Sequence, residues 1–195
     1  AEGAADSLFV VVDRLAATLL GDRFAGPGGA ESMVRGAARG TTVLPAFKAF
    51  LEGEARLRAD DPAPAARAFA QAVALDSTFA LAHMRLARAA QNGDRTPDRM
   101  YAALAAAERH AHRLAPLDRE RLRGFVATRR GDLAGAERAF HAVLRLAPED
   151  PEARFQLADL HFHQNPYRGR SLHEARAGLR AALDDPSTRA ESVDH

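Results

Sequence analysis

The chain has 195 residues, enough for one domain or one short repeat array. Its 47% apolar and 27% charged residues suit a soluble globular protein, and a formal net charge of +1 supplies no global field for nucleic acid or an acidic membrane. The absence of Cys excludes disulfides and thiolate metal sites and fits a reducing or an oxidising compartment alike.

Ala supplies roughly a quarter of the chain and aromatics only 6%, with no Trp, which favours closely packed helices over strands. The sequence begins at Ala1 rather than Met, as expected of a processed or excised piece of something longer. In residues 7–20, SLFVVVDRLAATLL, the residues Leu8, Val11, Val12, Leu15 and Leu19 recur at helical spacing behind Asp6 or Ser7 as cap. Residues 1–21 are therefore read as an N-terminal amphipathic helix. Acids Glu2 and Asp6 precede the run Leu8–Val12 and Asp13-Arg14 interrupts it, so it is not a signal peptide. No apolar stretch reaches the roughly 18 residues that cross a bilayer, so no direct membrane insertion is expected.

Residues 22–42 are Gly-rich and apolar-poor, a linker with a turn or two around Glu31–Ala38. Its Gly26-Pro27-Gly28-Gly29 lacks the Gly-Lys-Ser/Thr of a phosphate loop. Helices follow near 43–59, 63–75, 79–92, 97–114, 117–130, 133–146, 151–164 and 171–183. Thr41 or Thr42 is expected to cap the first, with Pro45 tolerated in its first turn. Thr96-Pro97 and Asp150-Pro151 each place an N-cap before Pro at the first helical position. Gly131 ends one helix and Asp132 caps the next, while Ser171 and Glu174 have capping-box spacing. Residues 188–195 form a tail.

Two stretches repeat. Ala65-x3-Phe69-x2-Ala72 returns as Ala136-x3-Phe140-x2-Val143, and Gly53 and Gly124 stand at the same distance before them. This resembles the tetratricopeptide repeat, a helix pair of about 34 residues. The frame gives units at 46–79, 80–116, 117–150 and 151–187 within residues 43–187. Gly53, Ala87, Gly124 and Ala158 take the small position where helix A crosses helix B, and Leu86 and Leu157 take the helix A Leu. The resemblance implies an all-α fold: a right-handed superhelical array of antiparallel helix pairs, with the extra N-terminal helix. Departures from the pattern are Glu52 at an apolar position, Asp60 at the turn Gly, an Ala run without Phe in the second unit, and the insertion 165–170.

The order of segments is also similar to a bacterial architecture in which a small TolB-like domain ends in a helix of the type DSLFxLVDxLAxxLL. A linker, LPAxKAxLEGE and repeats containing DSTFALA follow it. Asp6–Leu20, Leu44–Glu54 and Asp76–Ala82 carry the likeness. It implies the C-terminal sensor or scaffold part of a membrane-anchored serine/threonine kinase or a transcription regulator, placed in the cytoplasm or periplasm.

Function is expected on helix A. The repeat resemblance implies a concave groove that binds a partner peptide or helix through Phe50, Met84, Arg88 and Gln91 in the first two units. Arg121, Phe125, Arg129, Phe155 and Asp159 continue it in the last two. Arg121, Phe125 and Arg129, spaced by four, would form with Arg88 a basic, aromatic patch for an acidic or aromatic peptide, and charge reversal at Arg121 and Arg129 would weaken capture without unfolding. Chaperone tails are not supported, because Phe50 and Glu54 stand where chaperone-binding relatives use Lys and Asn. The alternative is a structural spacer or oligomerisation segment, with residues 7–20 pairing between copies.

Other chemistries find little support. His110 and His112, like His161 and His163, lie two apart and point about 200° apart on a helix, so neither pair chelates one ion. The Arg-rich stretch Arg109–Arg130 interleaves with Glu108, Asp118, Glu120 and Asp132, as on a solvated face rather than a nucleic-acid stripe. No catalytic constellation, metal site or cofactor motif is recognised, and no enzyme activity is expected.

Overall fold

The computed structural model describes residues 40–92 and 97–164, with scattered positions between 169 and 180. Among these residues there are seven α-helices, a 3-10 turn at Ala111–Arg113, and no strand. The helices are α1 Leu44–Arg58, α2 Pro62–Leu75, α3 Ala80–Asn92, α4 Pro97–Arg109, α5 Pro116–Arg129, α6 Leu133–Leu146 and α7 Pro151–Gln164. They form an all-α array of antiparallel helix pairs. The chain divides into two compact units, Ala1–Ala115 and Pro116–His195. In the first unit α1 packs on α2, α2 on α3 and α3 on α4; in the second α5 packs on α6 and α6 on α7.

The helix ends show which local signals act. Asp132 Oδ1 accepts from Gly135 N at 2.8 Å and Asp150 Oδ1 from Ala153 N at 2.8 Å, so both aspartates cap as expected. Between α5 and α6 the left-handed residue is Gly131, φ 74°; the matching residue between α1 and α2 is Asp60, φ 55°. A short polar side chain tolerates that region better than most, which is how the first unit turns without Gly.

The start of α1 differs from expectation. Val43 is its N-cap and no side chain caps it. Thr41 stands too far ahead to reach the free N–H groups of the first turn. Its Oγ1 instead accepts from Val43 N at 3.1 Å and donates to Asp76 Oδ2 at 2.6 Å, tying the chain before α1 to the α2–α3 turn. The helix expected to run to 114 ends at Arg109. The 3-10 turn follows, and Leu114 turns extended and buries its side chain ahead of Pro116. The helix at 7–20, the linker up to residue 39 and the Thr96 cap lie outside the described residues, as does most of 165–183.

Each unit holds its first pair together in the same way. Helices α2 and α6 have 14 residues each and bury the same Ala-Phe face: Ala65, Phe69 and Ala72 in one, Ala136, Phe140 and Val143 in the other. The Phe ring lies flat against the glycine of the preceding helix. A Cβ built on Gly53 would stand 2.5 Å from Phe69 Cε1, and one on Gly124 would stand 2.6 Å from Phe140 Cε1. Any side chain there displaces either the ring or the helix.

Gly124→Ala should therefore lower the urea midpoint: overpacking costs about 1–3 kcal/mol, against about 1 kcal/mol gained in helix propensity. In a Phe140→Leu background, where the ring is gone, the same substitution should raise the midpoint relative to that background. An identical effect of Gly124→Ala in both backgrounds would show that the ring contact is not what requires the glycine.

Candidate partner-binding surface

The nine residues expected to line a groove separate into two groups. Phe50 is fully buried, its ring centroid 5.6 Å from that of Phe69 and 5.1 Å from that of Phe79. Met84, on α3, is also buried. Both are core residues, closed to a partner in this structure. Beside them Glu54 Oε1 lies 3.0 Å from Arg85 Nε, an ion pair by distance though not aligned as a hydrogen bond, and both groups are buried. Arg88 and Gln91, farther along α3, are half-buried.

In the second unit the expected basic stripe is broken. Arg121 is buried and belongs to the core. Its Nη1 donates to Asp118 Oδ1 at 2.8 Å and its Nη2 to Asp150 Oδ2, while Asp150 uses its other oxygen to cap α7. Burial disfavours the guanidinium charge, but Glu152, Asp150 and Asp118 outweigh it and hold the group above the usual arginine range. The stripe fails because eight residues advance a helix by about 80° beyond two full turns, enough to separate an inward Arg121 from an outward Arg129. Charge reversal at Arg121 would thus attack the fold, not only partner capture.

The repeat frame explains where the ions come from. Asp118, Arg121 and Asp150 occupy the positions that Phe47, Phe50 and Phe79 hold in the first unit, and all six are buried. One unit links helix A to the start of the next helix by tilted ring contacts. The other makes the same link with a guanidinium between two carboxylates. Sequence offered a signal for this: Asp118 stands three residues before Arg121, and the cap Asp150 falls where the earlier repeat has an aromatic.

Four expected residues remain at the surface of the second unit. Phe125 and Arg129 are half-buried, one turn apart on α5, with the guanidinium carbon 5.4 Å from the ring centroid. Arg129 Nε has no hydrogen-bond partner, and the Phe125 ring is the contact the guanidinium makes on its own helix. Phe155 and Asp159 are half-buried on α7. Asp159 Oδ1 lies 3.2 Å from His163 Nδ1, which is also 3.0 Å from the Asp159 carbonyl oxygen.

Two further polar groups of the first unit are perturbed, Asp76 in the α2–α3 turn and His83 in the first turn of α3. Partial burial works against ionisation of Asp76, but hydrogen bonds from the Thr41 hydroxyl, the Thr78 hydroxyl and the Thr78 amide, with Arg113 nearby, bring its pKa below the ordinary value. Burial pushes His83 below its ordinary value, and Arg109 and His110 add to that. The Ser77 carbonyl, 2.9 Å from Nε2, and Asp76 oppose it. These contacts fasten a turn; they do not converge on a cavity. Among the described residues no three or more His, Cys, Asp or Glu gather as a metal site, and no helix is long and apolar enough to cross a membrane.

The Tetratricopeptide repeat family model matches residues 127–168, from the end of α5 through α6 and α7. The described array is a tetratricopeptide-like repeat fold. No curated protein matches the chain. Repeats of this kind generally mediate protein–protein interaction and are typically non-enzymatic scaffolds.

Arg121→Met should cost about 3–5 kcal/mol in urea unfolding, because it leaves Asp118 and Asp150 buried without their cation. Replacing Asp118, Arg121 and Asp150 together by Phe, as in the first unit, should be milder despite losing a cap of about 1 kcal/mol. A triple variant less stable than Arg121→Met would refute the equivalence of the two clusters.

Proposed function

We propose that the chain is a protein-interaction module that takes a peptide or helix of another protein on its helix A faces. On the second unit that face carries Phe125, Arg129, Phe155 and Asp159; on the first unit, taken by itself, the corresponding face carries Arg88 and Gln91. The observation that supports this most is the Phe125–Arg129 pair. It offers a half-exposed ring and a stacked cation already fixed in place, so little side-chain freedom is lost on binding. A partner residue that combines a carboxylate with an apolar stem, or an aromatic ring beside a carboxylate, suits that pair. Phe155 and Asp159 add a second apolar and acidic pair on α7.

The likeness of residues 6–20, 44–54 and 76–82 to the C-terminal region of bacterial TolB-like regulators supports a second reading, compatible with the first. In it the chain is a spacer or sensor segment of a larger protein, and residues 7–20 pair between copies. A strict monomer in sedimentation would remove that pairing.

Affinity capture from the native source, with mass spectrometry, tests the main reading. A partner retained by the wild type should be lost from the Phe125→Ser/Arg129→Glu variant while urea unfolding stays cooperative, the stability falling by about 0.5–3 kcal/mol because both side chains are half-buried. Equal retention by both proteins would overturn the assignment of the surface.

A further inference from the structure

The outward face of α6 carries a second feature that neither packing nor the helix A surface uses. Arg138, His141 and Arg145 follow one another at i, i+3 and i+7, all exposed. With Leu144 they border an open depression of about 600 Å³, and Leu146 beside them is 56% exposed. Two turns of helix, about 10 Å, separate the first arginine from the last.

Two observations set this face apart. The first is pairing. Arg56 pairs with Glu52, Arg123 with Glu120 and Arg154 with Glu149; no described residue pairs with Arg138 or Arg145. While the same holds for the single exposed Arg58 and Arg67, on α6 two such arginines share one face with a histidine. Glu149, the acid within helical reach of Arg145, is the one engaged by Arg154, 2.8 Å away. The second is the comparison between units. At the matching positions α2 has Arg67, Ala70, Val73, Ala74 and Leu75, so the same helix in the same packing does without the second and third bases. The fold does not require them.

We propose that this face is a docking surface for an acidic amphipathic helix of a partner protein, separate from the helix A surface. Carboxylates at i, i+4 and i+7 on the incoming helix meet Arg138, His141 and Arg145, and apolar residues between them cover Leu144 and Leu146. Nucleic acid is the poorer fit. The cationic face spans only two turns, and its flanking leucines offer nothing to a phosphate backbone.

Fluorescence anisotropy on the full chain tests this with a fluorescein-labelled peptide carrying Glu at i, i+4 and i+7 and Leu between them. The expected result is binding that weakens at least about tenfold, or 1.4 kcal/mol, in Arg138→Glu/Arg145→Glu. A peptide with Gln for Glu should bind equally weakly, and the affinity should be unchanged in Phe125→Ser/Arg129→Glu. Both α6 positions are exposed, so the urea midpoint should not move. Four results would overturn the proposal: no binding by the wild type, equal binding by the α6 variant, loss in the α5 variant instead, or tighter binding of a labelled single-stranded oligonucleotide that the α6 variant abolishes.

Discussion

Phe69 and Phe140 each lay a ring against the bare backbone of the helix before them, at Gly53 and Gly124, and the spacing of each first helix pair follows from that contact. The ring fills the volume a side chain would need, and the small residues beside it, Ala65 and Ala136, let the axes come close. An alanine-rich chain with few aromatics can build a core in this way. Each Phe serves as the thick element between thin, small-residue faces. With the pair spacing fixed, the next helix has a defined seat, and the residues at its start determine how it is fastened.

That second fastening is made with opposite chemistry in the two units. Phe50 and Phe79 meet by ring contact in the first, whereas Arg121 joins Asp118 and Asp150 in the second. A ring pair tolerates small shifts, because dispersion and apolar burial have little direction. A buried guanidinium between carboxylates does not, since each hydrogen bond has a required geometry and a lost partner leaves a charge without water. The second unit therefore commits an acid and a base of α5, with the acid that caps α7, to structure. What remains for a partner on α5 is the cation–π pair one and two turns farther on.

Much of this was legible in the sequence, for reasons that differ by residue. Glycine and Phe at matching spacing in two stretches report a close approach directly, since little else explains a bare Cα facing a large ring. Asp132 and Asp150 were visible as caps because each stands directly before a helical run, Asp150 immediately before a Pro. The candidate surface was less legible. Phe50 and Arg121 share a repeat position that can face a groove, but the residue at the end of each repeat, Phe79 or Asp150, reaches back and encloses it. That contact joins positions 29 residues apart in the Arg121–Asp150 case, beyond what helical periodicity can report. The outward face of α6 was missed for a different cause: single Arg and His residues on a solvated helix look ordinary until their pairing and their counterparts in α2 are compared.

The ring-on-glycine contact can be observed in solution without any variant. In a proton NOE spectrum of the labelled full chain, the ring protons of Phe69 should show cross-peaks to the Gly53 α-protons. Those of Phe140 should do the same to Gly124, with the glycine signals moved upfield by the ring current. Gly53 and Gly124 α-protons at unperturbed shifts, with no cross-peak to either ring, would contradict the packing from which the rest of the account is built.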